Sequence, residues 1–523
     1  MTPFARWTTA APGAALGVGL LLLAGLACDR RPPNEPASEA FSFPTALHAH
    51  AYPGGQNLLF VLSSNFDLGV NGGSMGTVDI DLAEELGPLC AGAGGAGGVC
   101  GAPTPQGTPR IRSEAVMNGL DAVRVASFAR DFTMSADRLD LYVPSGGDDS
   151  LTWIDVHPEN ALPGARTDGH GALVCDAGDE YENLIAANCL LACDTGDLDD
   201  EDLKTWAVPG CNERHRPNPS LAEKYAEADE ATLAGLGFDP APLANLPAAP
   251  FSIVLSADGT LAHVTHLDSG ALSVFRLRDD DDGRPEYLAS FDSVDFSNGI
   301  DVHPPTGLVY VTGRSPATAP SGTRIAIFET AALAVDPLPF EAPEAAADGS
   351  EPPPAIDPLV ASVSLTIEAS HDLRGLVFSP DGQRAFAVER GGGGDVLLFI
   401  DTSGAATGDF HMAPQAVVPV GSGAQNVLLL AGAGDTGGNL ILVSCFKDNT
   451  IYIVDEDLRE VSRIVDVDTG PFGIATFTPD GATAPTRIFV ASFTAGTVTA
   501  LDARPGPGLG DPLYVIGTPK VSE

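Results

Sequence analysis

Three near-copies of one strand–turn unit, a high glycine and proline content and few aromatic residues predict an all-β protein, a seven-bladed β-propeller with disulfide-stapled loop insertions. The copies are Pro250-Phe-Ser-Ile-Val-Leu-Ser-Ala-Asp-Gly259, Leu373-Arg-Gly-Leu-Val-Phe-Ser-Pro-Asp-Gly382 and Pro471-Phe-Gly-Ile-Ala-Thr-Phe-Thr-Pro-Asp-Gly481. Each is a short apolar strand running into turn chemistry: proline presets φ, aspartate bonds the backbone just ahead, and glycine accepts a positive φ. The 523 residues include 59 glycines and 43 prolines, with 7% aromatic residues, the usage of a chain with many turns rather than long helices.

A second strand follows each turn (Ala262–His266, Ala385–Arg390, Ile488–Ser492) and a third follows a polar loop (Leu272–Phe275, Val396–Asp401, Thr497–Asp502). Weaker copies fill the gaps. Asn298–Gly307 leads to Leu308–Thr312 and Ile325–Phe328; Gln425–Leu430 leads to Leu440–Cys445 and Thr450–Asp455; Asp131–Asp137 leads to Leu139–Val143 and Leu151–Asp155. Leu58–Leu62 with Thr77–Asp81 reads as a first unit whose inner strand is displaced. Outermost strands are the least legible, with Val461–Val465 and Tyr287–Phe291 as candidates, and closure is expected from residues 41 to 49 or Leu513–Ile516. Short meanders recurring roughly every 45 to 50 residues cannot bury their faces alone and do so against radial neighbours.

Three stretches break the period: residues 83–120, the Cys-rich and acidic 158–249, and the Pro/Ala/Glu-rich 331–371. The middle one carries the acidic runs Asp176–Glu182 and Asp194–Asp202 and a candidate helix from Leu221. Residues 1–27 read as a signal peptide, 28–50 as a Pro-rich tether and 51–516 as the propeller. The segment Ala-Gly-Leu-Ala-Cys28 resembles a bacterial lipobox, with Gly25 where that motif usually has leucine. The resemblance implies lipidation of Cys28 and a chain anchored to the bacterial envelope; ordinary cleavage would give a secreted form.

Eight cysteines in an exported chain then divide into one lipidated residue, a buried thiol at Cys445 in a strand-like run, and six disulfide candidates: Cys90, Cys100, Cys175, Cys189, Cys193 and Cys211. Their spacings lack the Cys-x-x-Cys pairs of zinc sites.

A formal net charge of −43 repels phosphate backbones, so nucleic acid is excluded as a partner. Calcium is the one cofactor such acidity invites. However, Asp194–Asp202 lacks the central glycine of an EF-hand loop, and Asp279–Gly283 has Arg278 in the first ligand's place. No zinc, haem, nucleophile-elbow or phosphate-loop motif occurs.

The unit Pro-Phe-Gly-Ile-Ala…Thr-Pro-Asp-Gly…Ile-Phe-Val-Ala-Ser…Gly-Thr-Val-Thr-Ala-Leu-Asp resembles the YVTN-type repeat of bacterial surface and lactonase-like seven-bladed propellers, Leu308-Val-Tyr-Val-Thr-Gly313 being the nearest copy of the name-giving strand. That resemblance covers most of residues 51–502 and implies fold more than function. Propeller geometry brings the loops entering inner strands, and those between second and third strands, to a central funnel. These carry His266, Asn298, Arg314, Arg374, Arg390, Asn426, Lys447, Asp448 and Asn449. Arginines converging amid so much acid suit a small anionic ligand or the carboxylates of an envelope protein. A binding or scaffold module at the envelope is therefore expected. The alternatives are a lactonase-like hydrolase, with His266 as base and Arg314, Arg374 or Arg390 polarising a carbonyl, and a cation-dependent adhesin.

Overall fold

The computed structural model describes residues 40–53, 56–66, 72–91, 98–117, 122–147, 149–158, 172–175, 246–277, 285–314, 323–334, 358–365, 370–391, 394–434 and 437–518. The expected signal peptide, Cys28, Cys189, Cys193, Cys211, the candidate helix and all three acidic runs lie outside them.

Seven antiparallel sheets follow one another along the chain. Blade 1 is Pro44–Tyr52, Gln56–Ser63, Gly73–Asp79 and Val123–Val125. Blade 2 is Thr133–Met134, Asp140–Ser145, Ser150–Val156 and Leu173–Val174. Blade 3 is Pro250–Leu255, Leu261–His266, Ala271–Arg276 and Glu286–Asp292. Blade 4 is Gly299–Val302, Val309–Thr312, Thr323–Phe328 and Leu359–Leu365. Blade 5 is Ser370–Phe378, Arg384–Gly391, Val396–Asp401 and Pro414–Pro419. Blade 6 is Ala424–Leu430, Leu440–Cys445, Thr450–Asp455 and Glu460–Asp466. Blade 7 is Pro471–Phe477, Arg487–Ser492, Thr497–Asp502 and Pro512–Ile516.

The repeated turn works as its residues require. Ser256 Oγ donates to Asp258 at 2.6 Å, which accepts Thr260 N–H, and Gly259 has φ +73°. Ser379 Oγ donates to Asp381 at 2.6 Å, ahead of Gly382 at φ +66°. Hydrogen bonds to the charged form hold both carboxyls below the usual range.

Middle strands are buried on both faces, as in Leu440–Cys445, so they read as continuous apolar runs. Cys445 is a free, fully covered thiol there. Inner strands pack neighbour to neighbour around the ring, and Pro44–Tyr52 meets Pro471–Phe477 to close it. Aspartates tie adjacent inner strands together. Asp131 accepts Phe132 N–H at 2.9 Å and Ile253 N–H of blade 3 at 3.3 Å; Asp301 accepts Val302 N–H at 2.8 Å and Phe378 N–H of blade 5 at 2.9 Å.

Several boundaries differ from expectation. The ring begins at Pro44, so the last residues assigned to the tether form the innermost strand of blade 1, the displaced strand missing from the first unit. The stretch 331–371 contributes Leu359–Leu365, the outer strand of blade 4. Its apolar residues, Leu359, Val360, Ala361, Val363 and Leu365, follow a Pro/Ala/Glu-rich run whose composition hides them. Neither residues 41–49 nor Leu513–Ile516 crosses to the blade at the other end of the chain. A latch from the 83–120 stretch bridges blades 1 and 7 instead: Arg110–Ile111 adds a parallel fifth strand beside Pro512–Ile516. The helix Ile80–Ala91 buries Ile80 and Ala83 in one apolar cluster with Leu59 of blade 1 and Phe489, Val498 and Tyr514 of blade 7. Glu84 of this helix accepts from Arg487 at 2.6 Å. Cys90 and Cys100 form a disulfide across the loop that follows. Cys175 is buried and disulfide-bonded.

Candidate functional site: the mouth of the axial channel

Every blade lends residues to one cavity of about 110 Å³. Thr45 comes from blade 1, Arg130 and Asp131 from the entry to blade 2, and Phe251 and Ser252 from blade 3. Asn298 and Gly299 come from blade 4, Arg374 and Gly375 from blade 5, Gln425 and Asn426 from blade 6, and Phe472 from blade 7. Only a position on the propeller axis meets all seven inner strands.

The repeat register explains the lining. Arg130, Phe251, Asn298 and Arg374 each stand five residues ahead of the residue that opens the turn, Ser135, Ser256, His303 and Ser379. One repeat position thus presents two arginines, an asparagine and a phenylalanine to one cavity. Glycine lets the strands converge there: a Cβ on Gly299 would lie 3.0 Å from Gly375 N, and Gly375 sits at φ +57° beside the strand irregularity at Arg374/Leu376.

The electrostatics are cationic. Arg374 Nε donates to both Asp372 oxygens at 2.9 and 3.0 Å. Arg374 and Arg390 also share one neutral acceptor, Gln425 Oε1, each at 3.3 Å. Arg314 pairs through its backbone with Asp372, and its guanidinium lies 5.8 Å from the Phe296 ring centroid. Arg130 has no carboxylate partner among the described residues; its guanidinium sits 4.9 Å from the Phe251 centroid and 5.8 Å from that of Phe66. Burial and then repulsion from Arg374 push Arg130 down to about 10. Arg390 is lowered by burial, by Arg374 and by Arg314, against the pull of Asp372 and Asp395. Asp131 is pushed up to about 6 by burial, although backbone N–H groups oppose that shift.

One polar atom at the cavity has no partner. Asn298 is 4% exposed, lines the cavity, and its Oδ1 accepts no hydrogen bond. A buried acceptor left in this way costs about 1–3 kcal/mol.

Of the nine funnel candidates, Asn298, Arg374 and Asn426 line the cavity, and Arg390 and Arg314 stand beside it through Gln425 and Asp372. The other four stay apart. His266 is fully buried within blade 3, where Nε2 bonds Ser273 Oγ at 2.7 Å, and burial lowers it to about 4. Its position on a middle strand places the ring inside the blade, so the proposed base does not meet the cavity. Asp448 and Asn449 serve their own corner: Asp448 accepts Ser422 N–H at 2.6 Å, and Asn449, at φ +58°, accepts Gly470 N–H at 3.0 Å. Lys447 is exposed in that loop and does not line the cavity.

No protein-family model and no curated protein matches this chain in sequence. Solved structures match it in fold. A Kuenenia stuttgartiensis hydrazine synthase chain is 13% identical over 91% of this chain and 98% of its own, with a TM-score of 0.49. The periplasmic gluconolactonase PpgL of Pseudomonas aeruginosa is 14% identical over 86% and 88%, with a TM-score of 0.44. A Lactobacillus plantarum protein is 11% identical over 82% and 85%, with a TM-score of 0.41.

Arg130 and Arg374 thus line this cavity beside the apolar rings of Phe251 and Phe472. Among the described residues, no three His, Cys, Asp or Glu stand together to hold a metal ion.

Proposed function

We propose that this chain is an exported propeller, anchored to the bacterial envelope through Cys28, that binds a small carboxylate-bearing molecule at its axial mouth. The observation that carries this is the cluster of Arg130, Arg374 and Arg390 around a cavity built by all seven blades, in a chain of net charge −43. Two guanidiniums sharing one neutral acceptor leave donors free for a carboxylate, which a planar guanidinium receives in paired hydrogen bonds. A dianion fits less well, because Asp131 and Asp372 stand in the same mouth. A titration of the purified protein with acetate, succinate, benzoate and their neutral amides tests this. Carboxylates are expected to raise the melting temperature and amides to leave it unchanged. No shift with any carboxylate at millimolar concentration would overturn the proposal.

A second reading, hydrolysis of a lactone at the same mouth, has one observation in its favour. Asp131 lines the cavity beside Arg130 and holds its proton up to about 6, within reach of a general base's working range. Turnover of δ-gluconolactone above the spontaneous rate, abolished by Asp131→Asn in a variant that melts like the parent, is the outcome this reading requires.

A further inference from the structure

A face of phenylalanines adjoins the arginines at this mouth. Phe493, in the loop after the second strand of blade 7, is its hub. Its ring centroid lies 5.0 Å from Phe43, 5.6 Å from Phe66, and 6.0 Å from both Phe446 and Phe472. Phe66 in turn meets Phe128 at 5.8 Å edge-on. These residues come from loops of blades 6, 7, 1 and 2 and, for Phe472, from the start of the blade 7 inner strand, distant in sequence and brought together by ring closure.

Three observations mark this set as more than loop packing. Phe472 belongs both to the aromatic set and to the cavity wall, so the two regions are continuous. Phe66 is 47% exposed, although water disfavours an apolar side chain of that size at a surface. Finally, Phe43 and Phe128 hold φ at +59° and +60°, a conformation that bulky side chains avoid and that persists only where the surroundings enforce it. Arg130 joins the halves, its guanidinium over Phe66 and Phe251.

We infer that the mouth takes an aromatic carboxylate, its carboxylate against Arg374 and Arg390 and its ring among Phe472, Phe493 and Phe66. This rests on the carboxylate-binding reading above and names the rest of the ligand. An anion alone would need only the arginines; a purely apolar ligand would leave their mutual repulsion unrelieved. Offset or edge-on stacking on phenylalanine rings rewards a flat ring over a flexible chain. The cavity, about 110 Å³, is smaller than the roughly 150 Å³ that holds benzene, so it takes the carboxylate end and leaves the ring against the phenylalanines at its rim. Asn298 Oδ1, the buried acceptor without a partner, lies with Arg374 in the cavity wall and marks that end as the polar one.

Calorimetric titrations of the purified protein with 4-hydroxybenzoate, propionate and phenol test the inference. 4-Hydroxybenzoate is expected to bind at least tenfold more tightly than either of the others, about 1.4 kcal/mol. Phe493→Leu, which keeps apolar volume but removes the ring, is expected to abolish the preference over propionate while propionate affinity holds. Phe66→Leu, at an exposed position, gives the same readout should Phe493→Leu fail to fold. Equal binding of propionate and 4-hydroxybenzoate would overturn the aromatic inference and leave the carboxylate reading standing. Equal binding of phenol and 4-hydroxybenzoate, or no binding of any probe, would overturn both.

Discussion

Arg374 concentrates the site's chemistry in one side chain, touching Asp372, Gln425 and the cavity together. Arg374→Gln keeps a polar side chain but shortens it and removes the charge, and is expected to weaken benzoate binding by about tenfold or more, in line with the loss of a charge-assisted hydrogen bond. Glu389 is a second residue with a readable signature. It is buried in the second strand of blade 5, its Oε2 makes no hydrogen bond, and burial pushes it up to about 7. Asp131, Asp140 and Asp301 are each pushed up to about 6, burial being the main cause. For a raised carboxyl the native state holds the proton more tightly than the unfolded chain. Stability is therefore greatest below the ordinary carboxylate range and falls as pH rises through the native value. The melting temperature is expected to drop between about pH 4 and pH 7, and Glu389→Gln to flatten that slope, with its gain over the parent growing through that window and constant above it. A slope unchanged by the substitution in differential scanning calorimetry would remove Glu389 from this account.

Among elements, the latch of residues 80–117 is where the ring is exposed to attack. It joins blade 1 to blade 7 through the buried face of helix Ile80–Ala91, the Glu84–Arg487 pair and the parallel strand Arg110–Ile111. The Cys90–Cys100 disulfide closes a separation of 10 residues at the end of that helix. Cross-links over loops of this length contribute about 2–3 kcal/mol. Replacing both cysteines by alanine is expected to lower stability by that order, measured by denaturant unfolding, with hydrogen exchange rising first at Arg110–Ile111. Unchanged protection there would mean that the latch is held without the cross-link. This element was illegible in the sequence because its apolar residues serve two blades at once and follow no single period. The turns were legible because Ser256, Asp258 and Gly259 dictate their geometry locally.

At the scale of the whole molecule, seven meanders were readable because strand pairing is local in a propeller blade. The blade 1 inner strand was legible only in part: residues 41–49 were expected to help close the ring, but His48 and His50 interrupt the apolar pattern of Pro44–Tyr52 and set it apart from the repeats. The site was legible in part. Arg374, Asn298 and Asn426 were reachable from loop placement, whereas Arg130 required aligning the weak second unit on the turn serine, and the phenylalanine face exists only once the ring is closed. His266 misled because position on a strand end says little about which side of the blade a ring occupies. Charge adds a further expectation. A net −43 repels itself, and salt screens both that repulsion and the attraction of a cationic mouth for an anion. Raising salt is therefore expected to increase the melting temperature while weakening benzoate binding, and parallel movement of the two would contradict a cationic mouth. The most direct test is a crystal structure of the protein soaked with 4-hydroxybenzoate. The expected result is a carboxylate within hydrogen-bonding distance of Arg374 or Arg390 and a ring against Phe472; a ligand elsewhere on the molecule, with this mouth empty, would contradict the account.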